Sequence, residues 1–282
     1  MFPPVNTKDA TAVEMEVQAA FTELFASEDS QFVSLAFAWT VSAFTGAHPS
    51  YQAIDAPYHD LEHTLQGTLC MMRILRNRHK SGAHPPVPQR LVQLGLLAIL
   101  LHDTGYLKTR GDDSGTGAKY TVTHVHRSAE FAGMLMTEKG FTASDILAVR
   151  NMIHCTGVDA ALASIGFQSE AERIVGLALG TGDLLGQMAA EDYVEKLPTL
   201  YKEFAEAAQF TKDRASMVNM FGNAGDLLKK TPAFWDYTKQ RLTRDFGGLY
   251  RFLNEPYPFG PNHYLEHIEA NIARVRQLLD KH

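Results

Sequence analysis

The chain has 282 residues, of which 45% are hydrophobic and 21% are charged, so its composition is that of a globular protein with a sizeable core. Its net charge is −6 and its Lys and Arg residues are not concentrated in any stretch, which argues against a nucleic acid polymer or an anionic membrane as partner. The longest apolar run, 94–101, is far shorter than the roughly 20 residues of a membrane span. With no signal-peptide pattern at its start, the sequence predicts a cytoplasmic protein.

Apolar residues recur with a period near 3.6 along most of the chain, and no stretch alternates convincingly with a period of two. Ser30, Ser144 and Ser169 stand before three of the periodic segments as N-terminal caps, and Glu172 completes a capping box with Ser169. The fold class is therefore all-α. The predicted helices are Ala12–Phe25, Phe32–Phe44, Leu61–Leu75, Leu91–Leu101, Val125–Met136, Ile146–Ile153, Ala171–Leu185, Tyr193–Ala207, Phe234–Leu242 and Tyr264–Leu279.

Three breaks rich in Gly, Pro or Asp, at 81–88, 111–117 and 254–261, separate these helices. None is long enough to be a domain linker, and the sequence contains no internal repeat. We therefore expect a single domain over 1–282, with a core at about 51–190 and helical extensions at 1–50 and 191–282.

Histidine and aspartate residues appear repeatedly where helices are most apolar. His102 and Asp103 end the apolar run 94–101, His154 ends the helix at 146–153, and Asp183 interrupts the apolar stretch 174–188. A buried carboxylate without a partner costs several kcal/mol, roughly, so a metal ion is a reasonable partner for Asp103. Asp183 has an alternative interpretation as a buried helix cap after Gly182. Nitrogen and oxygen donors without thiolates favour Mn, Fe, Co, Mg or Zn over a structural zinc site.

A competing motif overlaps this set. The string His59 to His63 fits H-x-x-E-H, the inverted zinc-protease pattern, with Glu62 as the base. The same string recurs from His263 to His267, which shows how little such a short pattern specifies. A protease site would also leave the other histidines and aspartates of the apolar helices unused.

Five strings in order, YHDLEHT, LLHDTG, HVHRSAEFA, NMIHCTG and GDLLGQMA, cover about 58–189. In this order they resemble the HD-domain metal-dependent phosphohydrolase superfamily. The resemblance implies an HD-type helical bundle with two divalent metal ions (Mn, Fe, Mg, Co or Zn), bridged by Asp103. The implied ligands are His63, His102, Asp103, His124, His154 and Asp183.

The first string also resembles the opening motif of the cyclic nucleotide phosphodiesterases, which implies that His59 protonates the leaving oxygen. His59 and ligand His63 are four residues apart, about one turn of a helix. Many superfamily members place a phosphate-binding Lys where this chain has Tyr106, so Lys108 and Lys119 are candidate substitutes.

In the third string, the spacing of the superfamily's ligand from a small residue selects His124, since Ser128 and Ala129 follow at the right distance. His126 and Arg127 are left as candidate substrate contacts, as is Lys119.

The resemblance implies hydrolysis of a small phosphoester by a phosphodiesterase or phosphomonoesterase, with a nucleotide among the candidate substrates. Some proteins of this fold with the same ligands are instead di-iron oxygenases that cleave C–C or C–P bonds, and the ligand set does not separate the two activities. A non-catalytic scaffold is a third alternative. The sequence leaves the oligomeric state open.

Overall fold

The computed structural model describes residues 2, 4–25, 31–157, 160–212 and 217–281. Within these residues the fold is all-α, and the only β pairing is one isolated bridge between Tyr51 and Thr109. Each predicted helix is present. The helices are α1 (Ala10–Leu24), α2 (Gln31–Phe44), α3 (Leu61–Lys80), α4 (Gln89–Leu101), α5 (His124–Glu138), α6 (Ala143–Ile153), α7 (Glu170–Met188), α8 (Tyr193–Phe210), α9 (Ala224–Arg244) and α10 (His263–Leu279).

Helices α3, α4 and α7 form the centre of the fold, and most of their residues are buried. Helices α1 and α2 pack against α3 and α4, while α5 and α6 pack against each other and against α4. Helices α8, α9 and α10 contact one another, and α10 also contacts α7. None of the described helices is both long enough and apolar enough to cross a membrane.

Glycines allow α3 and α7 to approach each other closely. A Cβ atom added at Gly186 of α7 would lie 2.7 Å from the carbonyl carbon of Gln66 and 2.8 Å from the backbone nitrogen of Gly67, both in α3. One added at Gly182 would lie 2.9 Å from the Gly67 carbonyl oxygen. Because the obstructing atoms belong to backbone, no side-chain movement could make room. This approach brings residue 183 of α7 beside the first turn of α3.

Most helix boundaries differ from the prediction by a few residues, and the starts of α6 and α9 show why. Helix α6 is capped by Thr142, whose hydroxyl accepts from the Asp145 backbone, whereas the predicted cap Ser144 lies inside the helix. The prediction of Ser144 was wrong because a capping box with Asp145 requires the cap three residues earlier. Helix α9 begins at Ala224, ten residues before the predicted start at Phe234, and includes Pro232 in its interior.

The other predicted caps have mixed outcomes. The Ser169 hydroxyl accepts from the Glu172 backbone at the start of α7, which confirms that cap. The predicted capping box was wrong, because the Glu172 carboxylate accepts from the Gln168 backbone nitrogen and not from that of Ser169. Asp183 lies inside α7, so its alternative interpretation as a helix cap is wrong. The predicted cap Ser30 lies outside the described residues.

Replacing Gly186 with Ala should separate α3 from α7 and lower the free energy of unfolding by about 1–3 kcal/mol, the usual cost of overpacking a core. The matched control is Gly133→Ala in α5, where an added Cβ would have no neighbour nearer than 3.7 Å. The control should be neutral or stabilise by up to about 1 kcal/mol, since Ala favours helix over Gly. Urea denaturation of both variants tests this, and an equal effect would contradict the close approach.

Candidate metal centre

Four side chains from three central helices converge on one buried point. His63 comes from the first turn of α3, His102 and Asp103 follow the last residue of α4, and Asp183 lies within α7. The Nε2 atom of His63 lies 3.1 Å from Asp103 Oδ2 and 3.2 Å from Asp183 Oδ1. The Nε2 atom of His102 lies 3.2 Å and 3.4 Å from the same two oxygens. Nitrogen and oxygen atoms therefore alternate around the point.

These facing atoms lack good hydrogen-bond partners. His102 Nε2, Asp103 Oδ2 and Asp183 Oδ1 are all buried and form no hydrogen bond of acceptable geometry. The other ring nitrogen of His102, Nδ1, is 2.7 Å from the Ile99 carbonyl oxygen. A carbonyl only accepts, so Nδ1 carries the proton and the Nε2 lone pair points toward the carboxylates. A hydrogen bond from the other ring nitrogen to a carbonyl oxygen is typical of a metal-binding histidine.

The electrostatics of the cluster favour a cation. Burial would raise the pKa of Asp103 and Asp183, but His102 and His63 lower both pKa values below their usual range. Burial would likewise lower the pKa of His63 and His102, but the two carboxylates raise both. Asp103 also follows the negative end of the α4 dipole. Two carboxylates in such a place attract positive charge, which protons or a metal ion can supply.

The distances also fit a metal ion. Ligand atoms bound at about 2.1 Å from one ion lie roughly 3.0–3.5 Å apart, the range of the four contacts above. The ligand atoms of His63, His102 and Asp103 all lie within 4.8 Å of one another, and this buried group could hold a metal ion. Its nitrogen and oxygen donors suit Mn, Fe, Co, Mg or Zn.

His124 lies beside this cluster but does not join it. Its Nε2 atom is 4.0 Å from Asp103 Oδ1, the carboxylate oxygen that faces away from His63 and His102. Its Nδ1 atom is 2.6 Å from the Thr121 carbonyl oxygen, so Nε2 is again the free nitrogen. Burial lowers the pKa of His124, which favours the neutral, ligating form.

The backbone brings His124 into this position. A Cβ atom at Gly105 would lie 2.0 Å from the His124 carbonyl oxygen, so only glycine permits this approach. The Gly105 backbone nitrogen donates to the Ser128 hydroxyl at 2.8 Å. Arg127 donates to the carbonyl oxygens of Gly105 and Leu107 at 2.7 and 2.8 Å. Arg127 therefore fastens α5 to the segment after Asp103 instead of facing the centre.

His154, the remaining predicted ligand, is not brought into the cluster. It follows the last residue of α6 and is about half buried. Burial lowers its pKa, and the nearby charges that lower it further belong to His126 and Arg150, with no carboxylate among them. His126 itself is 68% exposed and lies 3.2 Å from Glu130. The structure therefore places His126 at the surface, away from the centre.

The two candidate phosphate-binding lysines have other partners. Lys119 Nζ lies 2.5 Å from Asp112 Oδ1 and 2.5 Å from the Ser114 carbonyl oxygen, inside the 111–117 loop. Lys108 Nζ lies 2.7 Å from Asp55 and 2.9 Å from the Gly115 carbonyl oxygen. Both ammonium groups therefore stabilise the loop, and neither lysine lines the cavity at the metal centre.

His59 is beside the centre but not on the helix that carries His63. Helix α3 begins at Leu61, as predicted, and is capped by Asp60, so His59 precedes the helix and the four-residue spacing does not place the two histidines on one helix face. The ring of His59 nevertheless lies 5.3 Å from that of His63 and stacks on Tyr106, with the centroids 4.5 Å apart and an angle of 11°.

Glu203 holds His59, and the sequence analysis did not find this residue. Its side chain is fully buried, and its Oε2 atom lies 2.5 Å from His59 Nδ1. Its Oε1 atom accepts from the backbone nitrogens of Tyr58 and His59 at 2.7 and 3.3 Å. The available signal was a carboxylate on the apolar face of α8, one residue before buried Phe204.

The protease motif does not have the geometry that it needs. Glu62, the base in that interpretation, binds Lys196 at 2.9 Å instead of facing the metal centre. The second copy of the motif lies on α10, where His263 binds Glu266 of its own helix at 2.8 Å.

A cavity of about 170 Å³ opens onto the centre. His59, His63, Asp103, His124 and Asp183 line its inner end, together with Tyr106 and Gln187. Its outer part lies between α7, α8 and α9, so the helices after residue 190 form one wall of the site.

The comparisons with known proteins identify a family. The chain belongs to the Npun_R2479-like family, whose model matches residues 10–246. That description names neither an activity nor the HD-domain superfamily, so the HD resemblance remains a prediction. A search of the curated proteins found no match to the chain.

The first test of the centre is metal content. We expect His63→Ala and Asp103→Asn to lower the bound metal per chain at least tenfold, because each removes a donor from the convergent group. His154→Ala should leave the metal content unchanged, since this histidine lies outside the group. Mass spectrometry of the purified proteins measures the metal, and loss of metal from His154→Ala would contradict this placement.

Chelation supplies a second test. Removing the metal should lower the melting temperature by about 5 °C or more, because an ion present at 100 times its Kd stabilises a fold by about 2.7 kcal/mol. The Asp103→Asn variant should show little change on chelation. An equal decrease in the two proteins would show that the chelator acts elsewhere.

Proposed function

We propose that this protein is a metal-dependent hydrolase of small phosphoesters. The observation that carries the proposal is the position of Asp103, whose two carboxylate oxygens face different imidazoles. Oδ2 faces His63 and His102, and Oδ1 faces His124 at 4.0 Å. A carboxylate placed in this way is suited to bridge two metal ions, an arrangement that enzymes use for phosphoryl transfer.

In this proposal His63, His102, Asp103 and Asp183 would hold one ion, and Asp103 and His124 would contribute to a second. Bound metal supplies a hydroxide nucleophile at neutral pH and offsets the charge of the transferring phosphoryl group. The scarcity of positively charged side chains in the cavity supports this role for metal ions. Among its described lining residues Lys230 is the only Lys or Arg, and its ammonium group donates to the Met220 carbonyl oxygen at 2.6 Å.

His59 is the proposed general acid. The Glu203 carboxylate occupies its Nδ1 atom, orients the ring and balances the positive charge of a protonated imidazole. Nε2 is then the ring nitrogen that donates the proton to the substrate. In the reaction, a water oxygen bonds to phosphorus, the bond from phosphorus to the alcohol oxygen breaks, and that oxygen takes a proton from His59. The water's proton restores His59, so the products are an alcohol and a phosphate.

The key variant is His59→Asn. It should lower kcat about 10²- to 10⁴-fold, the usual contribution of a general acid, while the metal content stays normal. Glu203→Gln should give a smaller decrease in kcat, because the ring loses its orientation but keeps its nitrogen. The control is His126→Asn, which changes an exposed histidine and should leave kcat unchanged.

The metal content of His59→Asn shows whether His59 is a general acid or a metal ligand. If His59→Asn removes the metal, His59 is a ligand and its role as acid is wrong. Turnover of phosphoesters with Mn or Mg under anaerobic conditions supports hydrolysis. Two bound irons with strictly oxygen-dependent turnover would overturn the hydrolase and indicate the di-iron oxygenase.

A further inference from the structure

The outer part of the cavity is apolar on nearly every side. Its wall consists of side chains from α8, from α9 and from the segment between them, namely Leu197, Leu200, Phe204, Phe221, Leu227 and Phe234. Burying an apolar group against such a wall is favourable by about 25 cal/mol for each Å² removed from water. The polar atoms of the metal centre lie at the opposite end of the same cavity.

The few polar groups on this wall are mostly engaged. The Thr231 hydroxyl donates to the Leu227 carbonyl oxygen of its own helix at 2.8 Å. Lys230 is held by the Met220 carbonyl oxygen and lies over the Phe221 ring, 5.2 Å from its centroid. At the inner end, both ends of the Gln187 amide are used, by the Tyr58 hydroxyl and by the Asp183 carbonyl oxygen. The Tyr193 phenol and the remaining N–H groups of the exposed Lys230 are the other polar groups of the wall.

A nucleobase does not suit this wall. Its several donors and acceptors would leave water, and one phenol and one ammonium group, which offers no acceptor, cannot satisfy them. Each buried polar group without a partner lowers the affinity, so specific recognition of a base would need more polar side chains than the wall provides.

Size sets a second limit. An apolar cavity of about 150 Å³ holds one benzene molecule, and this cavity of about 170 Å³ also includes the space at the metal centre. The apolar part therefore accepts one ring or a short branched chain.

We propose that the ligand of this cavity is a small amphiphile, a phosphoryl group bearing one apolar substituent of about the size of a phenyl ring, and not a nucleotide. This inference rests on the proposed function for the position of the phosphoryl group at the metal centre. The apolar wall selects the substituent.

The experiment compares non-hydrolysable ligands, so it does not depend on turnover. Calorimetry with the metal-loaded full chain should show that phenylphosphonate binds at least tenfold more tightly than methylphosphonate, and more tightly than uridine 5′-monophosphate. Phe234→Ala should remove most of the phenyl preference without changing the affinity for methylphosphonate. The matched control is Phe252→Ala, which removes the same side chain where it stacks on Tyr257, away from the cavity.

A second variant distinguishes a change in the cavity from a folding defect of Phe234→Ala. Leu200→Trp fills the cavity from a half-buried position, so it should exclude the phenyl group and still bind methylphosphonate. Equal binding of the two phosphonates, tighter binding of the nucleotide, or no binding of phenylphosphonate would overturn the inference. A phenyl preference without hydrolysis of phenyl phosphate would support the ligand class and count against the proposed hydrolase, so the two failures differ.

Discussion

The close approach of α3 and α7 is the constraint on which the rest of the structure depends. Without side chains at Gly182 and Gly186, the two backbones come near enough that His63 of one helix and Asp183 of the other lie 3.2 Å apart. A larger residue at either glycine would force the two backbones, and with them these two side chains, farther apart. Gly182 and Gly186 lower the helix propensity of α7, but they also allow Asp183 to lie close to His63.

The cluster at this crossing costs the apoprotein free energy. Asp103 and Asp183 are buried, and their negative charge is offset only by protons on histidines unless a cation binds. Because the surrounding helices are apolar, the polar atoms of this cluster would interact strongly with a bound metal ion. The stacked rings of Tyr106, His59 and His124 line the cavity beside the cluster.

Much of the fold followed from periodicity, since burial in a helical bundle repeats every 3.6 residues and each predicted helix is present. The end of α4 and the polar interruption of α7 also identified the convergent residues, because a charge in an apolar helix needs a partner. Glu203 could not be found in the same way. It belongs to a helix far along the chain, and only the tertiary fold brings its carboxylate to His59. His154 is the opposite case. It follows an apolar helix, as His102 does, but the fold does not bring it to the centre.

Residues with two different roles lie within about two turns of helix α8. Glu203 fixes the orientation of the proposed acid, while Leu197, Leu200 and Phe204 of the same helix form the apolar wall. A rigid helix cannot shift one set without the other. Enlarging the cavity by moving α8 would therefore displace the proton donor, so substrate range and turnover are coupled through the position of this helix. Changes of specificity that spare turnover should arise instead on α9, which carries wall residues but does not contact His59.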